Sequence, residues 1–437
     1  MSGREASDPA APREDRRRAA IHTLGCRLNQ SESGILVDLL RREGYEIVPF
    51  GESADLGVVH TCTVTREADA KSRRLIRSFI RANPRAYVAV LGCYAQTGHQ
   101  ALAAIEGIDL ICGNQEKMNL LEFVRQGKNP TPLIIRDHLQ RADFTLEFAG
   151  DAPTERRANL KIQDGCNFMC SFCVIPFARG RSRSREMGNL LDEARALIAR
   201  GAKELVLTGV NLGCYTCEGL TIVDVVNNLN GLPGLARIRI SSIEPTTVPG
   251  ELLDCMAEPA HALAHYLHLP LQSGSDAVLR RMKRRYTRRE FVEFVETACR
   301  RVPDLCVGTD ILVGMPGESD AEFEETCAVL RDAPSPTLTC LNTPNAMARR
   351  PSACRTKWTR KPPTAAAPGS AASAQPNARP STNATLARPS RSCSNNNRTA
   401  GGKGIRGIMC GWRHVPQNGC GTSSAACGWK AFGAISP

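Results

Sequence analysis

The sequence predicts an α/β protein with an N-terminal open parallel α/β sheet domain, an incomplete (βα) partial barrel and a largely disordered tail. From residue 19 to residue 332, short apolar runs alternate with amphipathic helical patterns, which is typical of parallel α/β sheets. From residue 333 to residue 437 this alternation stops, and the segment holds 14 Lys or Arg and no Asp or Glu. A stretch of that length without a carboxylate is not the composition of an ordinary folded domain.

These changes of composition divide the chain into five parts. They are a disordered N-terminus (1–18), an α/β domain (19–127), a polar linker (128–155), a truncated partial barrel (156–332) and a disordered basic tail (333–437). The basic excess lies in the tail, because residues 1–332 hold 42 of the 56 basic residues and all 44 acidic ones. We expect a cytoplasmic protein with no membrane partner, since neither a signal peptide nor an apolar run of membrane-spanning length is visible. We also expect it to be a monomer.

Three cysteines of the first domain each follow a predicted strand. Cys26, Cys62 and Cys93 come just after the runs AAIHTL, LGVVH and YVAVLG. The carboxyl ends of parallel strands meet at one edge of a sheet, so these three side chains are expected to converge. Nineteen cysteines in a reducing compartment also favour metal or catalytic use over disulfides. A lone cysteine is more commonly a small buried residue, and Cys112 is interpreted that way.

A helix is predicted after each of these strands. The first should begin near Ser31 and stop at Gly44, and one face should carry Ile35, Leu36, Leu39 and Leu40. The second is predicted near residues 68–82. The order strand, helix, strand then continues to the end of the domain, as a parallel sheet requires.

The second domain begins with a strand pattern that leads into a CxxxCxxC loop. Five βα units are predicted, with the strands ANLKIQ, ELVLTG, RIRIS, HYLHLP and LCVGTDILVG, and Cys166, Cys170 and Cys173 follow the first of these strands. Three thiolates can hold a four-iron cluster and leave one iron open to a small molecule. The alternatives are a structural zinc site and three incidental cysteines, but zinc sites usually close with a fourth ligand, and none lies nearby. The CxxC of Cys214 and Cys217 has no partner pair and is interpreted as incidental.

At these residues the chain resembles a known family. The CxxxCxxC loop is similar to that of radical S-adenosylmethionine enzymes, and KIQDGC with CVIPFARG resembles the tRNA methylthiotransferases. HTLGCRLNQSES, HTCTVT and VLGCYAQ resemble the three cysteine motifs of that family's N-terminal domain. The resemblance implies two [4Fe-4S] clusters, one held by Cys166, Cys170 and Cys173 and the other, which carries the sulfur, by Cys26, Cys62 and Cys93.

The loops after the later strands resemble those that line the family's S-adenosylmethionine pocket. Glycines let backbone approach a ligand closely, and polar side chains can bond its amino, carboxylate and ribose groups. The residues that the resemblance places at this pocket are Gly209, Asn211, Ser242, Glu244, Gln272, Ser273, Asp310 and Gly314.

Two basic runs lie within the otherwise slightly acidic folded part. One contains Arg179, Arg181, Arg183 and Arg185, and the other covers residues 280–289. Such runs are usually solvated helix faces. Beside a catalytic mouth, however, they favour contact with the phosphates of a large anionic substrate.

The tail offers no visible sixth strand for the barrel and no small all-β RNA-binding domain, both of which the family would supply here. A natural disordered arm is one interpretation. A shifted reading frame is the other interpretation. Residues 356–360 are TKWTR, and their codons, when they are read two bases further on, encode an acid-containing segment similar to KVD or QVD. On this hypothesis the lost carboxylates and the absent strand share one cause, and we expect the chain as written to be poorly active.

The function implied by the resemblance is addition of a methylthio group to carbon 2 of a tRNA adenosine beside the anticodon. TLGCRLNQ, QDGC, VLTGVNLG and HLPLQSGSD most resemble the branch that acts on N6-threonylcarbamoyladenosine. The partners would be tRNA, an electron donor and a sulfur source, the last two of unknown identity. Sister enzymes that modify isopentenyladenosine or a ribosomal protein remain alternatives, as does an inactive iron-sulfur or RNA-binding protein.

Overall fold

A computed structural model describes residues 16–137, 139–148 and 156–332, together with the backbone of residues 336–342. The first domain is a six-stranded, all-parallel sheet with the order β2-β1-β3-β4-β5-β6. Its strands are β1 Arg18–Thr23, β2 Glu46–Val48, β3 Leu56–Thr61, β4 Tyr87–Gly92, β5 Leu110–Cys112 and β6 Leu133–Ile135. Its helices are α1 Arg27–Arg42, α2 Arg66–Ala82, α3 Cys93–Thr97, α4 His99–Ala103 and α5 Leu120–Arg125.

Helices cover both faces of this sheet because successive residues of its central strands point to opposite sides. Val58 packs with Leu36 of α1 on one face. Val59 packs with Ile76 of α2 on the other. At Gly57, a Cβ atom would lie 2.0 Å from the Phe79 ring, so only glycine lets α2 approach the strand this closely.

The main strands of the second domain form two three-stranded parallel sheets, which adjoin in chain order. These strands are β7 Arg157–Lys161, β10 Glu204–Thr208, β13 Arg237–Ile240, β14 Tyr266–His268, β15 Cys306–Val313 and β16 Pro336–Asn342. Two short hairpins are formed by β8 Gln163–Asp164 with β9 Arg183–Ser184 and by β11 Thr216–Cys217 with β12 Leu220–Thr221. Between β13 and β14 the two sheets adjoin through Ile238, which bonds Ala262 and Ala264 by its backbone at 2.8 Å each.

Six helices among the described residues of this domain pack against its strands: α7 Met187–Ala199, α8 Ile222–Asn230, α9 Gly250–Ala257, α10 Asp276–Arg281, α11 Arg288–Arg301 and α12 Asp320–Asp332. The short helix α6 Ile175–Ala178 contacts α3 of the first domain. One continuous apolar core joins the six helices to the strands, from Leu160 in β7 to Ile311 in β15. The α/β class predicted from the sequence is confirmed.

The expectation that no sixth barrel strand follows residue 332 is wrong. Residues 336–342 pair in parallel with Val307–Val313, in register over seven residues. The edge of β15 presents unpaired backbone N–H and C=O groups, and a short segment rich in Thr and Leu can satisfy them without the long apolar alternation of a central strand. The rest of the predicted tail, from residue 343, lies outside the described residues, so the frameshift hypothesis stays a prediction.

Two other boundaries differ from the sequence predictions. Strand β6 lies within the predicted linker and joins the first sheet, with the Leu133 amide 2.8 Å from the carbonyl of Asp109. Helix α1 begins at Arg27 rather than near Ser31, directly after Cys26. Both differences arise because neighbouring backbone, rather than side-chain periodicity, decides where an edge strand pairs and where a first helical turn closes. None of the helices that the structure describes is long and apolar enough to cross a membrane.

Strand β16 gives a first prediction. We expect a chain that ends at Asp332 to have a lower Tm than one that ends at Asn342, because the edge of β15 loses its partner. A loss of about 1 kcal/mol would lower the Tm by about 2–4 °C in a chain of this size. Thermal unfolding of the two truncated chains, followed by circular dichroism, measures the difference.

The full-length chain is the control for this comparison. It should unfold at the temperature of the chain that ends at Asn342. Equal Tm values for the two truncated chains would show that β16 contributes nothing to the barrel.

Candidate functional site

The first cysteine trio converges at one edge of the N-terminal sheet. Cys26 precedes α1, Cys62 directly follows β3, and Cys93 is the first residue after β4. A Cβ atom on Gly25 would lie 2.9 Å from the Cys62 sulfur, and Gly25 has a φ of +97°, so glycine is needed for this close approach. Asn29 ties the two loops together, because its Nδ2 donates to the carbonyls of Leu24 at 2.8 Å and Thr61 at 3.1 Å. The three cysteines therefore lie at the carboxyl ends of the neighbouring strands β1, β3 and β4, and their sharing of one cluster stays a prediction.

The thiols of this trio influence one another electrostatically. Burial raises the pKa of Cys62 to about 11, and the nearby Cys93 and Cys26 add to the rise, while Arg179 opposes it. Protons on thiols must leave when iron binds, so a positive charge close to the sulfurs favours the metal-bound form. The arrangement offers three sulfur ligands and an adjacent cation, which suits an iron-sulfur cluster.

The second trio lies on the loop between β8 and α6. The Cys166 amide bonds the Gly180 carbonyl at 3.0 Å, and the Cys173 amide bonds the Cys170 carbonyl at 3.1 Å. The Phe168 amide lies 3.3 Å from the Cys166 sulfur. Backbone donors of this kind stabilise a sulfur that carries negative charge. Burial raises the pKa of Cys173 to about 11, with further rises from Cys170 and Cys166, so these thiols also lie close together.

Within the described residues, no three His, Cys, Asp or Glu side chains are drawn together tightly enough to hold a single metal ion. Ligands of one zinc ion all lie within about 2.3 Å of one point. In a four-iron cluster each cysteine binds its own iron, so the sulfurs stand farther apart.

Arg284 links the second trio to the barrel. Its Nη1 donates to the Cys170 sulfur at 3.4 Å and to Oε1 of Glu244 at 3.1 Å. The Tyr286 hydroxyl accepts from Arg284 Nη2 at 2.8 Å and donates to the carbonyl of Leu271 at 3.0 Å. Burial raises the pKa of Glu244, although Arg284 acts to lower it. The sequence analysis missed Arg284 as a site residue, because its position in a basic run suggested an exposed side chain.

Several of the predicted pocket residues meet beside the second trio. Asn211 Oδ1 accepts from the Glu244 amide at 3.1 Å. His268 bridges Ser242 and Asp310, at 3.3 Å from each. These four predicted residues therefore share one end of the barrel, as the alignment of the loops after the strands suggests.

The other predicted pocket residues are held by the protein itself. The backbone N–H of Gln272 donates to the backbone carbonyl of Asp310 at 2.8 Å. Ser273 is fully buried, and its hydroxyl lies 3.1 Å from that of Thr326 in α12. The Gly314 amide donates to Glu318 at 2.6 Å. Gly209 leaves room for Gln163, whose Oε1 would lie 2.8 Å from a Cβ atom there.

The prediction that the basic runs are exposed to phosphate is wrong for four arginines. Arg179, Arg183 and Arg185 are buried and paired with Glu32, Asp164 or Glu193, and Arg284 is committed to Glu244. The alternation of arginine with small residues gave no sign of buried carboxylate partners that come from distant parts of the sequence. Arg181, Lys283, Arg285 and Arg288 are exposed, so a basic surface beside the second trio remains.

Comparison with known proteins extends this picture. Residues 18–113 match the family described as "Uncharacterized protein family UPF0004", and residues 160–330 match the "Radical SAM superfamily". The chain is 38% identical over 318 residues to the threonylcarbamoyladenosine tRNA methylthiotransferase MtaB of Bacillus subtilis, covering 72% of this chain and 70% of that protein. It is 38% identical over 325 residues to the protein of the same name from Aquifex aeolicus, covering 72% and 78%.

Other relatives carry a different name. The tRNA-2-methylthio-N(6)-dimethylallyladenosine synthase of Geobacter metallireducens is 34% identical over 322 residues, covering 71% of this chain and 72% of that protein. Among solved structures, the radical S-adenosylmethionine methyltransferase TsrM of Kitasatospora setae superposes with a TM-score of 0.55 at 17% identity, over 74% of this chain and 75% of that one. That likeness concerns the fold.

The two separate trios give a second prediction. Changing Cys166, Cys170 and Cys173 together to Ala should remove about half of the bound iron and all cleavage of S-adenosylmethionine. Changing Cys26, Cys62 and Cys93 should remove the other half and leave cleavage detectable. Iron and sulfide analysis of the anaerobically reconstituted protein, with an assay for S-adenosylmethionine cleavage, measures both effects.

Cys299→Ala is the matched control, because this thiol lies half-buried on α11, outside both trios. It should leave the iron content unchanged. A triple variant of either trio that keeps the full iron content would overturn the assignment of that trio.

Proposed function

The chain belongs to the radical S-adenosylmethionine tRNA methylthiotransferase family, and we propose that it adds a methylthio group to carbon 2 of N6-threonylcarbamoyladenosine next to the anticodon of tRNA. Membership makes it a transferase that uses S-adenosylmethionine and [4Fe-4S] clusters. The observation that carries the choice of nucleoside is the 38% identity to two relatives named for threonylcarbamoyladenosine. The relative from Geobacter metallireducens, named for dimethylallyladenosine, stands at 34%.

We assign the cofactor sites to the two trios. In this proposal Cys166, Cys170 and Cys173 hold the cluster that works with S-adenosylmethionine, and Cys26, Cys62 and Cys93 hold the second cluster. Bound cofactors would supply sulfur and one-electron chemistry. The one-electron chemistry is needed because no side-chain base can remove hydrogen from an unactivated ring carbon.

The protein's own groups would orient the first cluster and its ligand. Arg284 donates to the Cys170 sulfur and to Glu244 at once, so it fixes the sulfur and the carboxylate relative to each other. Tyr286, which is buried, keeps the guanidinium in place through the backbone of Leu271. The mouth of the barrel is the end at which the loops after the strands meet. The polar groups that a ligand could contact there are Asn211, Ser242, Glu244 and Asp310.

The surface around the mouth has the chemistry of a single-stranded RNA site. Four large apolar side chains beside the cysteines are exposed, and two of them are aromatic: Val64 by 59%, Met169 by 40%, Phe172 by 36% and Phe177 by 65%. Bases that leave a stack can pack on the two aromatic rings. Arg285 lies with its guanidinium 4.2 Å from the centre of the buried Phe168 ring.

The exposed cations are held against the loop of the second trio. The Ser171 amide bonds the carbonyl of Met282 at 3.1 Å, and the Ser171 hydroxyl bonds that of Arg281 at 2.8 Å. Lys283 and Arg285 follow directly and are exposed. Phosphates of a nucleotide whose base enters the mouth could therefore meet these two cations.

The nucleoside assignment gives a third prediction. A bacterial strain without its own methylthiotransferases that expresses this chain should gain the methylthio group on threonylcarbamoyladenosine, in tRNAs that read codons beginning with A. Isopentenyladenosine in the same cells should remain unmodified. Mass spectrometry of nucleosides from purified tRNA measures both.

A Cys170→Ala chain is the control and should restore nothing. Methylthiolation of isopentenyladenosine instead would move the chain to the sister branch, and modification of a ribosomal protein would exclude a tRNA substrate. S-adenosylmethionine cleavage without any modified product, or no cleavage at all, would favour an inactive iron-sulfur or RNA-binding protein.

The cationic surface gives a fourth prediction. The double change of Lys283 and Arg285 to Ala should weaken tRNA binding and reduce the slope of log affinity against log salt by about 1.4, because each phosphate contact with a single strand contributes about 0.7 to that slope. Filter binding at several salt concentrations measures the slope.

Arg195→Ala is the matched control, because Arg195 is exposed and pairs with Asp192 on the outer helix α7. Its slope should equal that of the unchanged chain. If the double variant kept the same slope, the proposed docking of RNA at residues 283 and 285 would be excluded.

A further inference from the structure

A buried cluster of charged side chains lies where the two domains meet. Each member is less than one-tenth exposed. The first domain contributes one carboxylate and one cation, and the second contributes one carboxylate and three cations. We call this set the interdomain charge cluster: Glu32, Lys117, Lys161, Asp164, Arg179 and Arg183.

Glu32 is the centre of this cluster. Its Oε1 accepts from Lys161 Nζ at 2.7 Å and from Arg179 Nη1 at 3.0 Å, and its Oε2 accepts from Arg179 Nη2 at 3.0 Å. Lys117 reaches the same carboxylate from within the first domain. Burial opposes the charge on Glu32, but Arg179, Lys117 and Lys161 hold its pKa well below the usual range.

The cluster holds more positive than negative charge. Asp164 pairs with Lys161, Arg179 and Arg183 at 2.7, 3.0 and 3.4 Å, so two carboxylates face four cations among the residues that the structure describes. An excess of buried positive charge is costly unless something negative lies nearby.

Hydrogen bonds connect the cations of this cluster to the first cysteine trio. Arg179 Nη2 donates to Asn29 Oδ1 at 2.6 Å, and Asn29 is the residue that ties the Cys26 and Cys62 loops together. Burial acts against the charge on Arg179, but Glu32, Cys93 and Asp164 raise its pKa well above the ordinary value.

A second path runs from Lys117 to the same trio. Lys117 Nζ donates to Asn114 Oδ1 at 2.8 Å. Asn114 Nδ2 lies 3.6 Å from the Cys93 sulfur and 2.7 Å from the carbonyl of Ala178. Both paths therefore connect buried cations to sulfur ligands. The first starts from Arg179 of the second domain, and the second lies within the first domain, where Asn114 also donates to the carbonyl of Ala178 across the interface.

We propose that Arg179 is a positioning residue for the Cys26, Cys62 and Cys93 site, which the second domain completes by bringing a positive charge to the sulfurs. This inference rests on the proposed function, because the negative partner of the excess charge is the iron-sulfur cluster with its three thiolates. The site reaches full affinity only when the two domains are docked.

The test uses the full chain with Cys166, Cys170 and Cys173 changed to Ala, so that only the first trio binds iron. In this background Arg179→Gln removes the charge and Arg179→Lys keeps it. We expect Arg179→Gln to lose iron to a chelator with an apparent affinity about tenfold or more weaker, as changes next to metal ligands typically cause. Its midpoint potential should become more negative, because a nearby cation favours the reduced cluster. Arg179→Lys should restore part of both.

Arg185→Gln is the matched control. Arg185 is equally buried and pairs with Glu193, but its partners lie within the barrel and on α7. It should lower the Tm while leaving iron retention and midpoint potential at the values of the background chain. If Arg179→Gln does not fold, Lys117→Gln removes another cation of the cluster and should shift the potential in the same direction.

Three outcomes would overturn the inference. The first is equal iron retention and equal potential in Arg179→Gln and Arg185→Gln. The second is an unchanged background potential in Lys117→Gln when Arg179→Gln is insoluble. In either of these cases the proposed function stands. The third is a background chain that binds no iron, which would overturn the two-cluster assignment and this inference together.

Discussion

The burial of the Glu32 carboxylate is the constraint on which the arrangement of the two domains depends. Glu32 comes from the first helix of the N-terminal sheet, and two of its partners, Lys161 and Arg179, come from the first strand and the cysteine loop of the barrel. A buried charge that loses a partner costs about 3–5 kcal/mol, so the domains cannot slide apart by a small amount without a large penalty. The interface is thereby fixed in register, and it is fixed at the place where the first cysteine trio lies.

Much of the fold follows from patterns that are local in sequence. Buried strands such as Tyr87–Gly92 are continuous apolar runs, and a cysteine directly after a parallel strand must lie at the carboxyl edge of the sheet. That rule predicts Cys26, Cys62 and Cys93 at one edge of the sheet, where the ends of β1, β3 and β4 lie. The CxxxCxxC spacing is equally local, which is why the amino-acid sequence alone was enough to reveal the second trio.

The features that the sequence did not predict depend on partners far away in the chain. Arg179 looks like part of an exposed basic run until Glu32, 147 residues away, is seen beside it. A signal was present, because Glu32 lies among the buried positions of α1 and Lys161 ends a strand of the barrel. Charges on core faces need partners, and their presence in two domains pointed to a shared interface. Strand β16 gave no comparable signal, since its pairing is specified by the free edge of β15.

That last strand also decides where the chain leaves the barrel. All the principal strands of a parallel barrel run in one direction, so β16, paired in register with Val307–Val313, ends on the same side as the loop that carries Glu244. Any segment attached after Asn342 therefore starts beside the mouth and needs no long connection to reach a bound macromolecule. During evolution, a barrel of this kind can therefore gain or exchange a substrate-binding domain at its final strand without changes to the catalytic loops.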